Sequence, residues 1–352
     1  MLFYSHDTMG LGHIQRNFKI AVALKTSYPE LKISLLTGST ITEHLRKIPN
    51  LDFIKLPPVR KVDKEGYESF HGEKSFETVL EQRKSIILNS IKELRPDIFW
   101  VDHSPAGMKG ELLPSLRWIS GNDSPTVAVL GLRDIIDHPE NVVPLWKEQG
   151  IFEIMRSVYR NIFIYGDSRV FNPFKEYGFP ADIQEKTSFT GYIAGIDHNQ
   201  TSPDPGITSS DPGRVFVTIG GGEWAGELII GSLFAAARGN KNRLPFDATV
   251  VTGPFFPDEL WRLYSDMAAN LPLKLLKFVP DVSPFIRASD LVVSTAGYNT
   301  VTDALSWGKR ALFIPRIKFR QEQYLRARRF EELGLVQTLS PEIGRASCRE
   351  RV

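Results

Sequence analysis

Short apolar runs alternate along this chain with segments whose apolar residues recur at helical spacing. The continuous runs, rich in β-branched and aromatic side chains, predict buried strands at 2–5, 33–37, 53–56, 98–101, 126–130, 161–165, 214–219, 291–293 and 311–315. Between them, apolar residues three or four apart predict helices, such as one that begins near His13 and one at 75–94. Strands that alternate with helices form a parallel sheet whose faces are covered by the helices. The pattern therefore predicts an α/β fold.

A change of composition divides the chain into two domains. Residues 197–213 are rich in Pro, Ser, Thr, Asp and Gly, as is typical of a linker. We therefore expect an N-terminal domain at 1–196 and a C-terminal domain at 214–341, each a Rossmann-like, mostly parallel sheet flanked by helices. Residues 60–76 mix basic and aromatic side chains without a period. They predict a long surface loop, either solvated and mobile or in contact with an acceptor or a membrane surface.

Charge and cysteine content exclude several classes of protein. The 352 residues carry a net charge of +2 and contain no apolar run of about 18 residues. We therefore expect a cytoplasmic protein that neither spans a membrane nor serves as a dedicated nucleic-acid binder. The only cysteine, Cys348, lies in the arginine-rich stretch 342–352, which we expect to be a non-native tail. A disulfide framework, a cysteine nucleophile and a zinc-thiolate site are thereby excluded.

The stretch 278–323 carries the clearest candidate chemistry. Its strand at 291–293 leads directly into the small residues Ser294 to Gly297 and then into a helix, whose first N–H groups suit a phosphate. Asp303, one to two turns further on, has the chemistry to accept hydrogen bonds from ribose hydroxyls. The same residues also fit an ordinary Rossmann-like unit in which Ser294 and Thr295 cap the helix and Asp303 is solvated.

A glycine-rich turn opens the C-terminal domain. Gly220, Gly221 and Gly222 follow the strand at 214–219, and without side chains they let backbone amides approach an anion. No Gly-Lys-Ser or Gly-Lys-Thr follows them, so the sequence does not predict ATP hydrolysis.

The N-terminal domain begins with a second glycine turn, in which Gly10 and Gly12 precede His13. At the start of a helix the dipole disfavours the imidazolium, which would lower the pKa of His13 and leave a neutral base for a sugar hydroxyl. A local capping or packing role fits His13 equally well. Three polar residues lie at the ends of the next strands: His103, Arg133 and Asp134. They are candidate contacts for the acceptor, or else they form a structural ion pair and a cap.

Taken together, these motifs resemble GT-B glycosyltransferases of the MurG-like group, of the glycosyltransferase family 28 type. The resemblance rests on residues 10–13, on Thr190-Gly191, and on residues 220–222 and 278–323. It covers nearly the whole chain up to Pro341. It implies two Rossmann-like domains with a cleft between them. It also implies transfer of a sugar, with inversion, from a nucleotide-diphosphate sugar to an acceptor hydroxyl. The expected donor is UDP-linked, such as UDP-GlcNAc, and the acceptor, whose identity is unknown, is expected to be lipid-linked, with a peripheral contact at the inner face of the membrane.

The resemblance also assigns roles to individual residues. His13 would lie near the reaction centre, as the base or as a contact to donor and acceptor. No separate cofactor is implied, and because Asp-x-Asp does not occur, neither is a metal. The donor would be bound at its base by Phe278 and Val279, at its diphosphate by Thr295, Ala296, Gly297 and Tyr298, at its ribose by Asp303, and at its sugar by Glu322 and Gln323, with Gly221 and Gly222 lining the cleft.

Several features depart from the family pattern. Asp303 stands where the family usually has the longer glutamate, so an indirect ribose contact is expected. The arginine expected shortly after 190–191 is absent, and its charge would have to come from Arg316 or Arg320. The helix that usually closes the fold is also missing, which predicts a truncated C-terminal domain.

Two other functions use the same donor site. A GT-B epimerase or hydrolase of sugar nucleotides would turn over donor without an acceptor. A non-catalytic nucleotide-sugar-binding subunit would bind donor and turn over nothing.

Overall fold

The computed structural model describes residues 1–7, 11–61, 66–70, 72, 74–121, 124–195, 213–221, 226–240, 244–271, 273–317 and 320–340. The chain divides into two compact units, Met1–Ile193 and Ala194–Val352. The predicted linker, except for Gly213, and the predicted tail at 342–352 lie outside the described residues. The predicted domain boundaries therefore stay predictions.

Strands and helices alternate in the first unit. Its strands are β1 (Leu2–Tyr4), β2 (Ile33–Thr37), β3 (Leu51–Lys55), β4 (Val59–Lys61), β5 (Tyr67–Ser69), β6 (Ile98–Asp102), β7 (Val127–Arg133), β8 (Tyr159–Tyr165) and β9 (Thr187–Phe189). Its helices are α1 (Gly12–Ser27), α2 (Phe76–Leu94), α3 (Leu113–Gly121), α4 (Pro139–Glu148), α5 (Ile151–Val158), α6 (Pro173–Glu176) and α7 (Ala181–Gln184).

The main sheet of the first unit is parallel throughout its described strands, in the order β3-β2-β1-β6-β7-β8-β9. All three residues of β1 are fully buried, as expected for a central strand covered on both faces. From β1 the chain moves outward through β2 and β3, and then returns to the other side of β1 with β6. The order therefore reverses between β1 and β6, and such switch points are where open α/β sheets bind ligands.

One prediction for the first unit was wrong in part, because the stretch 60–76, expected to be a loop, contains strand residues at 60–61 and 67–69. Strands β4 and β5 pair antiparallel as a separate two-stranded ribbon. Val59 packs against Val79 and Met108, and the Tyr67 ring stacks on Phe76 with centroids 5.7 Å apart. Each strand has only three residues, too few for alternation to be visible in the sequence.

The second unit repeats the same plan. Its strands are β10 (Arg214–Thr218), β11 (Asp247–Val251), β12 (Leu273–Leu276), β13 (Leu291–Ser294), β14 (Arg310–Phe313) and β15 (Gln337–Thr338). Its helices are α8 (Gly226–Gly239), α9 (Asp258–Ala268), α10 (Ser283–Ala288), α11 (Tyr298–Ser306) and α12 (Glu322–Glu332).

The described strands of this sheet are also parallel, in the order β12-β11-β10-β13-β14-β15. The order reverses between β10 and β13, so this sheet has its own switch point. The predicted fold class, two mostly parallel sheets flanked by helices, is confirmed. Among the described residues, no helix is both long enough and apolar enough to cross a membrane.

Candidate active site

The turn after β1 presents His13 at the start of a helix, as predicted. Helix α1 begins at Gly12, and its N-cap residue, Leu11, makes no side-chain capping bond. Gly10 lies outside the described residues. His13 and Arg16 are three residues apart and therefore share one face of the helix. That face meets Asp102, the last residue of β6, because β6 is the neighbour of β1 at the switch point.

His13, Asp102 and Arg16 form a compact charged cluster. His13 Nδ1 lies 2.6 Å from Asp102 Oδ2, and Arg16 Nη2 donates to both carboxylate oxygens at 2.7 and 2.8 Å. Asp102 is fully buried, whereas 13% of the His13 side chain is exposed. An ionised carboxylate only accepts hydrogen bonds, so His13 Nδ1 carries the proton and Nε2 keeps its lone pair.

Burial and charge set the protonation states of this cluster. Burial lowers the pKa of His13 to about 4, although Asp102 opposes this effect. The predicted direction of the shift is therefore found, with burial rather than the helix dipole as its main cause. Burial alone would raise the pKa of Asp102, but Arg16 and His13 outweigh it and lower the pKa to about 2. At neutral pH the cluster holds a neutral imidazole oriented by an ionised carboxylate.

Two further histidines surround His13. The ring centroids of His6 and His103 lie 5.5 and 5.0 Å from that of His13, and Arg133 Nη2 lies 3.4 Å from His103 Nε2. His103 directly follows β6 and has a positive φ of 68°, uncommon for a residue with a side chain. Among the described residues, no three His, Cys, Asp or Glu side chains are arranged to hold a metal ion.

A buried network fixes His6. Tyr4 donates its hydroxyl proton to Glu111 at 2.5 Å, and Arg83 Nε and Nη2 donate to the same carboxylate at 2.6 and 2.9 Å. His6 Nδ1 lies 3.2 Å from the Tyr4 oxygen. Because the Tyr4 proton is already committed to Glu111, His6 Nδ1 is the donor in this contact. A neutral His6 therefore has the same tautomer as His13.

Asp134 has a different environment from the other predicted acceptor contacts. It is fully buried, accepts from the Tyr192 hydroxyl at 2.6 Å and caps the backbone N–H of Ile135 at 2.7 Å. The structure thus brings His103 and Arg133 together with His13, whereas Asp134 makes structural contacts.

The second unit places its candidate diphosphate turn at its own switch point. Ser294 ends β13, Ala296 has a left-handed φ of 63°, and Gly297 is the N-cap of α11 without a side-chain capping bond. The first N–H groups of α11 have no partners within the helix. The alternative in which Ser294 and Thr295 cap this helix is therefore not met, because Gly297 is the N-cap residue.

The neighbouring turn reaches the same edge of the sheet. Gly221, which follows β10, accepts from Phe255 N at 2.9 Å, and a side chain on Gly253 would clash with Gly220 O at 2.4 Å. The turns after β10 and β11 are therefore closely packed. Gly222 lies outside the described residues.

The other predicted donor residues lie at the same carboxyl edge or on the helices that follow. Phe278 and Val279 are partly buried shortly after β12. Asp303, only 2% exposed, accepts from Gly195 N at 3.0 Å and so is not a solvated helix residue. Glu322 is buried, with Oε1 3.9 Å from Arg316 Nη2, and Gln323 Oε1 accepts from the Arg316 backbone at 3.0 Å.

Sequence reasoning assigned no individual role to three residues around His13: Asp102, Arg16 and His6. Asp102 ends an apolar run and directly precedes the predicted His103, so a carboxylate at a buried strand end was the available signal. Its pairing with His13, 89 residues away, depends on the adjacency of β1 and β6. No local pattern encodes that adjacency.

Comparisons with known proteins agree with this architecture. Residues 238–340 match the glycosyltransferase family 28 C-terminal domain. An uncharacterized glycosyltransferase of Methanosarcina mazei is 23% identical over 277 residues, covering 75% of this chain and 66% of that protein. The UDP-N-acetylglucosamine-N-acetylmuramyl-(pentapeptide) pyrophosphoryl-undecaprenol N-acetylglucosamine transferase of Acinetobacter baumannii is 31% identical over 87 residues, 23% of this chain and 24% of that protein.

A solved structure shows a similar fold. Acinetobacter baumannii MurG matches with a TM-score of 0.55 and 16% identity, covering 99% of this chain and 89% of that one. The sequence matches span just under two thirds of the archaeal relative and about a quarter of the transferase.

Two units that each contain a parallel sheet flanked by helices agree with the fold of GT-B proteins. Residues 238–340 carry a glycosyltransferase family 28 C-terminal domain, and part of the chain is similar in sequence to the Acinetobacter baumannii transferase. The predicted resemblance to glycosyltransferase family 28 is thereby confirmed for the C-terminal domain.

Proposed function

We propose that this chain is a nucleotide-sugar-dependent glycosyltransferase in which His13 is the general base. The observation that carries the proposal is the His13–Asp102 pair, 2.6 Å apart at a parallel-sheet switch point. A neutral imidazole whose Nδ1 proton is held by a carboxylate keeps the lone pair of Nε2 available to accept a proton at neutral pH. The family 28 match over residues 238–340 supports a sugar nucleotide as the second substrate.

The proposed reaction is a single displacement at the anomeric carbon. An acceptor hydroxyl loses its proton to His13 Nε2 while its oxygen forms a bond to the anomeric carbon. The bond from that carbon to the diphosphate oxygen breaks, and the nucleoside diphosphate leaves with the electron pair. Asp102 stabilises the imidazolium that forms, because it already raises the affinity of His13 for a proton. This displacement inverts the anomeric configuration.

The second unit supplies the features that suit a diphosphate leaving group. The N–H groups at the start of α11, approached through small residues, stabilise negative charge by fixed dipoles. We propose Thr295, Ala296, Gly297 and Tyr298 as this diphosphate site. The other donor contacts proposed are Phe278 and Val279 for the base, Asp303 for the ribose, Glu322 and Gln323 for the sugar, and Gly221 with Gly222 for the lining.

The donor sugar and the class of acceptor are also proposals. The name of the transferase relative supports a UDP-linked hexosamine as donor and a lipid-linked acceptor, although that match covers only 23% of this chain. His103 and Arg133, beside His13, are the proposed contacts for the acceptor. With a lipid-linked acceptor, the protein would work at a membrane surface.

Calorimetric titration with UDP, GDP and their N-acetylglucosamine conjugates tests the donor assignment first. We expect one nucleotide and its sugar conjugate to bind, and a protein that binds none of them would overturn the proposal. Release of UDP from UDP-GlcNAc is then followed with and without added acceptor alcohols and polyprenyl phosphates. Acceptor-dependent release lost in His13→Ala supports transfer. Rapid release without any acceptor would instead indicate a hydrolase or an epimerase.

A further inference from the structure

A fully buried arginine lies directly behind the proposed diphosphate turn. Arg326 is in the second turn of α12, and its side chain has no exposed surface. Its Nη1 donates to the backbone oxygen of Ala296 at 3.2 Å, and its guanidinium carbon lies 5.5 Å from the centre of the Tyr298 ring. One side chain thus contacts Ala296, the middle residue of the segment that connects β13 to α11, and Tyr298, the first residue of α11.

The segment that Arg326 holds has an unfavourable backbone conformation. Ala296 has a φ of 63° and is fully buried, and residues with a Cβ adopt this left-handed region at a cost. Such a conformation persists only where surrounding contacts impose it. The bond to the Ala296 oxygen and the packing on Tyr298 are two such contacts.

The same hydrogen bond also acts on the group that would meet a phosphate. The carbonyl of Ala296 and the N–H of Gly297 belong to one peptide unit. A cation bound to the carbonyl polarises that unit, which makes the N–H a stronger donor. Arg326 therefore places positive charge behind the turn and transmits it to the face where a diphosphate would bind.

We propose that Arg326 is the positioning residue of the diphosphate site: it fixes the turn from Ala296 to Tyr298 and strengthens its phosphate-binding N–H groups without touching the nucleotide. This inference rests on the proposed function, because it takes the turn to be a diphosphate site. It also offers a source for the positive charge that the sequence led us to expect from Arg316 or Arg320. Arg316 lies 3.9 Å from the carboxylate of Glu322.

The test compares UDP with UMP, because only UDP has the second phosphate. The variants are Arg326→Gln, Arg326→Lys, Ala296→Gly and the double variant Ala296→Gly with Arg326→Gln. Arg329→Gln is the matched control, since Arg329 lies on the same helix, is partly exposed and pairs with Glu332. Thermal unfolding of each variant is measured beside calorimetric Kd values for both nucleotides.

We expect Arg326→Gln to weaken UDP binding about 10- to 100-fold, as for loss of a charged hydrogen bond, and to change UMP binding much less. Arg326→Lys keeps the charge but loses the planar contact, so an intermediate loss is expected. Glycine adopts a positive φ readily, so Ala296→Gly should restore part of the UDP affinity in the double variant. The part of the UDP affinity that the double variant does not regain measures the contribution of the Arg326 charge.

The outcomes separate this inference from the proposed function. A wild-type protein that binds neither nucleotide overturns both. A wild-type protein that binds UDP, together with an Arg326→Gln variant whose UMP-to-UDP ratio of Kd values is unchanged, overturns this inference alone. If Arg326→Gln does not fold, the ratio in Arg326→Lys decides the question in the same way. Equal losses for UDP and UMP would indicate a structural role only.

Discussion

The turns at the two switch points differ in where their charged side chains lie. After β1, charged side chains converge on His13, and Arg16 and Asp102 are buried together beneath it. After β13, small residues lead into a helix whose first N–H groups have no partners within it, and the charged group, Arg326, is buried behind them. The first arrangement adjusts the proton affinity of one side chain, whereas the second presents fixed dipoles.

This difference bears on how each turn responds to mutation. A base depends on the identity and orientation of individual side chains, so single substitutions at the first turn should affect turnover. A site of backbone dipoles depends on the shape of the chain, so the second turn should tolerate any side chain that leaves the turn open. The following predictions test that distinction.

The largest effect is expected from His13→Ala. Loss of a general base lowers kcat by about 10²–10⁴-fold, whereas the donor turn in the second unit is untouched, so the Kd for UDP should stay within about twofold. His44→Ala, an exposed histidine outside the cluster, is the control. Steady-state kinetics and calorimetry on both variants make the comparison. A His13→Ala variant that loses UDP affinity but keeps its kcat would contradict the proposed division of roles.

Asp102→Asn should affect stability as well as turnover. The substitution keeps the shape of the side chain but leaves Arg16, which is almost completely buried, without its carboxylate. Removing one partner of a buried ion pair typically costs about 3–5 kcal/mol, measurable by urea unfolding. Because Asp102 raises the pKa of His13, that pKa should fall further in the variant. Glu68→Gln, which removes an exposed ion pair, is the matched control. An equal loss of unfolding free energy in both variants would contradict the stabilising role of the buried pair between Asp102 and Arg16.

The pH dependence of stability should report His13 directly. Its pKa falls from 6.5 in the unfolded chain to about 4 in the folded protein, so the unfolded state takes up the proton first as the pH drops. The stability that the neutral imidazole provides is complete above pH 6.5 and is lost towards pH 4, by about 3 kcal/mol at 1.36 kcal/mol per pKa unit.

Asp7 opposes this effect in part of the same range. Burial raises its pKa from 3.8 to about 6, so its contribution is present below pH 3.8 and is lost as the pH rises through 6. The His13 effect is therefore measured as the difference in unfolding free energy between wild type and His13→Gln from pH 4 to 7. A difference that does not change with pH would show that His13 titrates normally.

Substitutions at Gly297 should separate the shape of the second turn from its stability. Gly297 has φ −61° and ψ 144°, which any residue adopts, and a Cβ there would meet no atom within 4 Å. Both Gly297→Ala and Gly297→Trp should therefore fold. We expect Gly297→Trp to weaken UDP binding at least about tenfold by covering the turn, with Gly297→Ala close to wild type. Normal UDP binding by Gly297→Trp would place the nucleotide elsewhere.

The smallest effect is expected at Asp303. Asparagine retains an oxygen to accept from Gly195 N, so Asp303→Asn should fold normally. If the carboxylate also binds the ribose, the affinity of the variant for UDP should fall about tenfold, whereas its affinity for 2′-deoxy-UDP should change little. Equal changes in affinity for the two nucleotides would indicate that Asp303 makes only the structural hydrogen bond to Gly195.

Much of this molecule follows from local sequence. The alternation of apolar runs and helical periods determined the α/β class, because each element buries a face whose spacing is set by its own geometry. The start of α1 at Gly12 and the turn into α11 were predicted from glycines and small residues, since those residues fix the local path of the backbone. The short ribbon of β4 and β5 was missed because three residues carry no measurable period.

Tertiary structure decided which side chains meet. Asp102 approaches His13 because β6 pairs with β1, and Arg326 reaches Ala296 because α12 packs behind the turn after β13. These partners lie 89 and 30 residues apart along the chain. The order of strands in a sheet depends on the packing of the whole unit, which no short pattern records. The sequence by itself thus determined the elements and the candidate turns, and packing between distant segments decided the charged contacts around them.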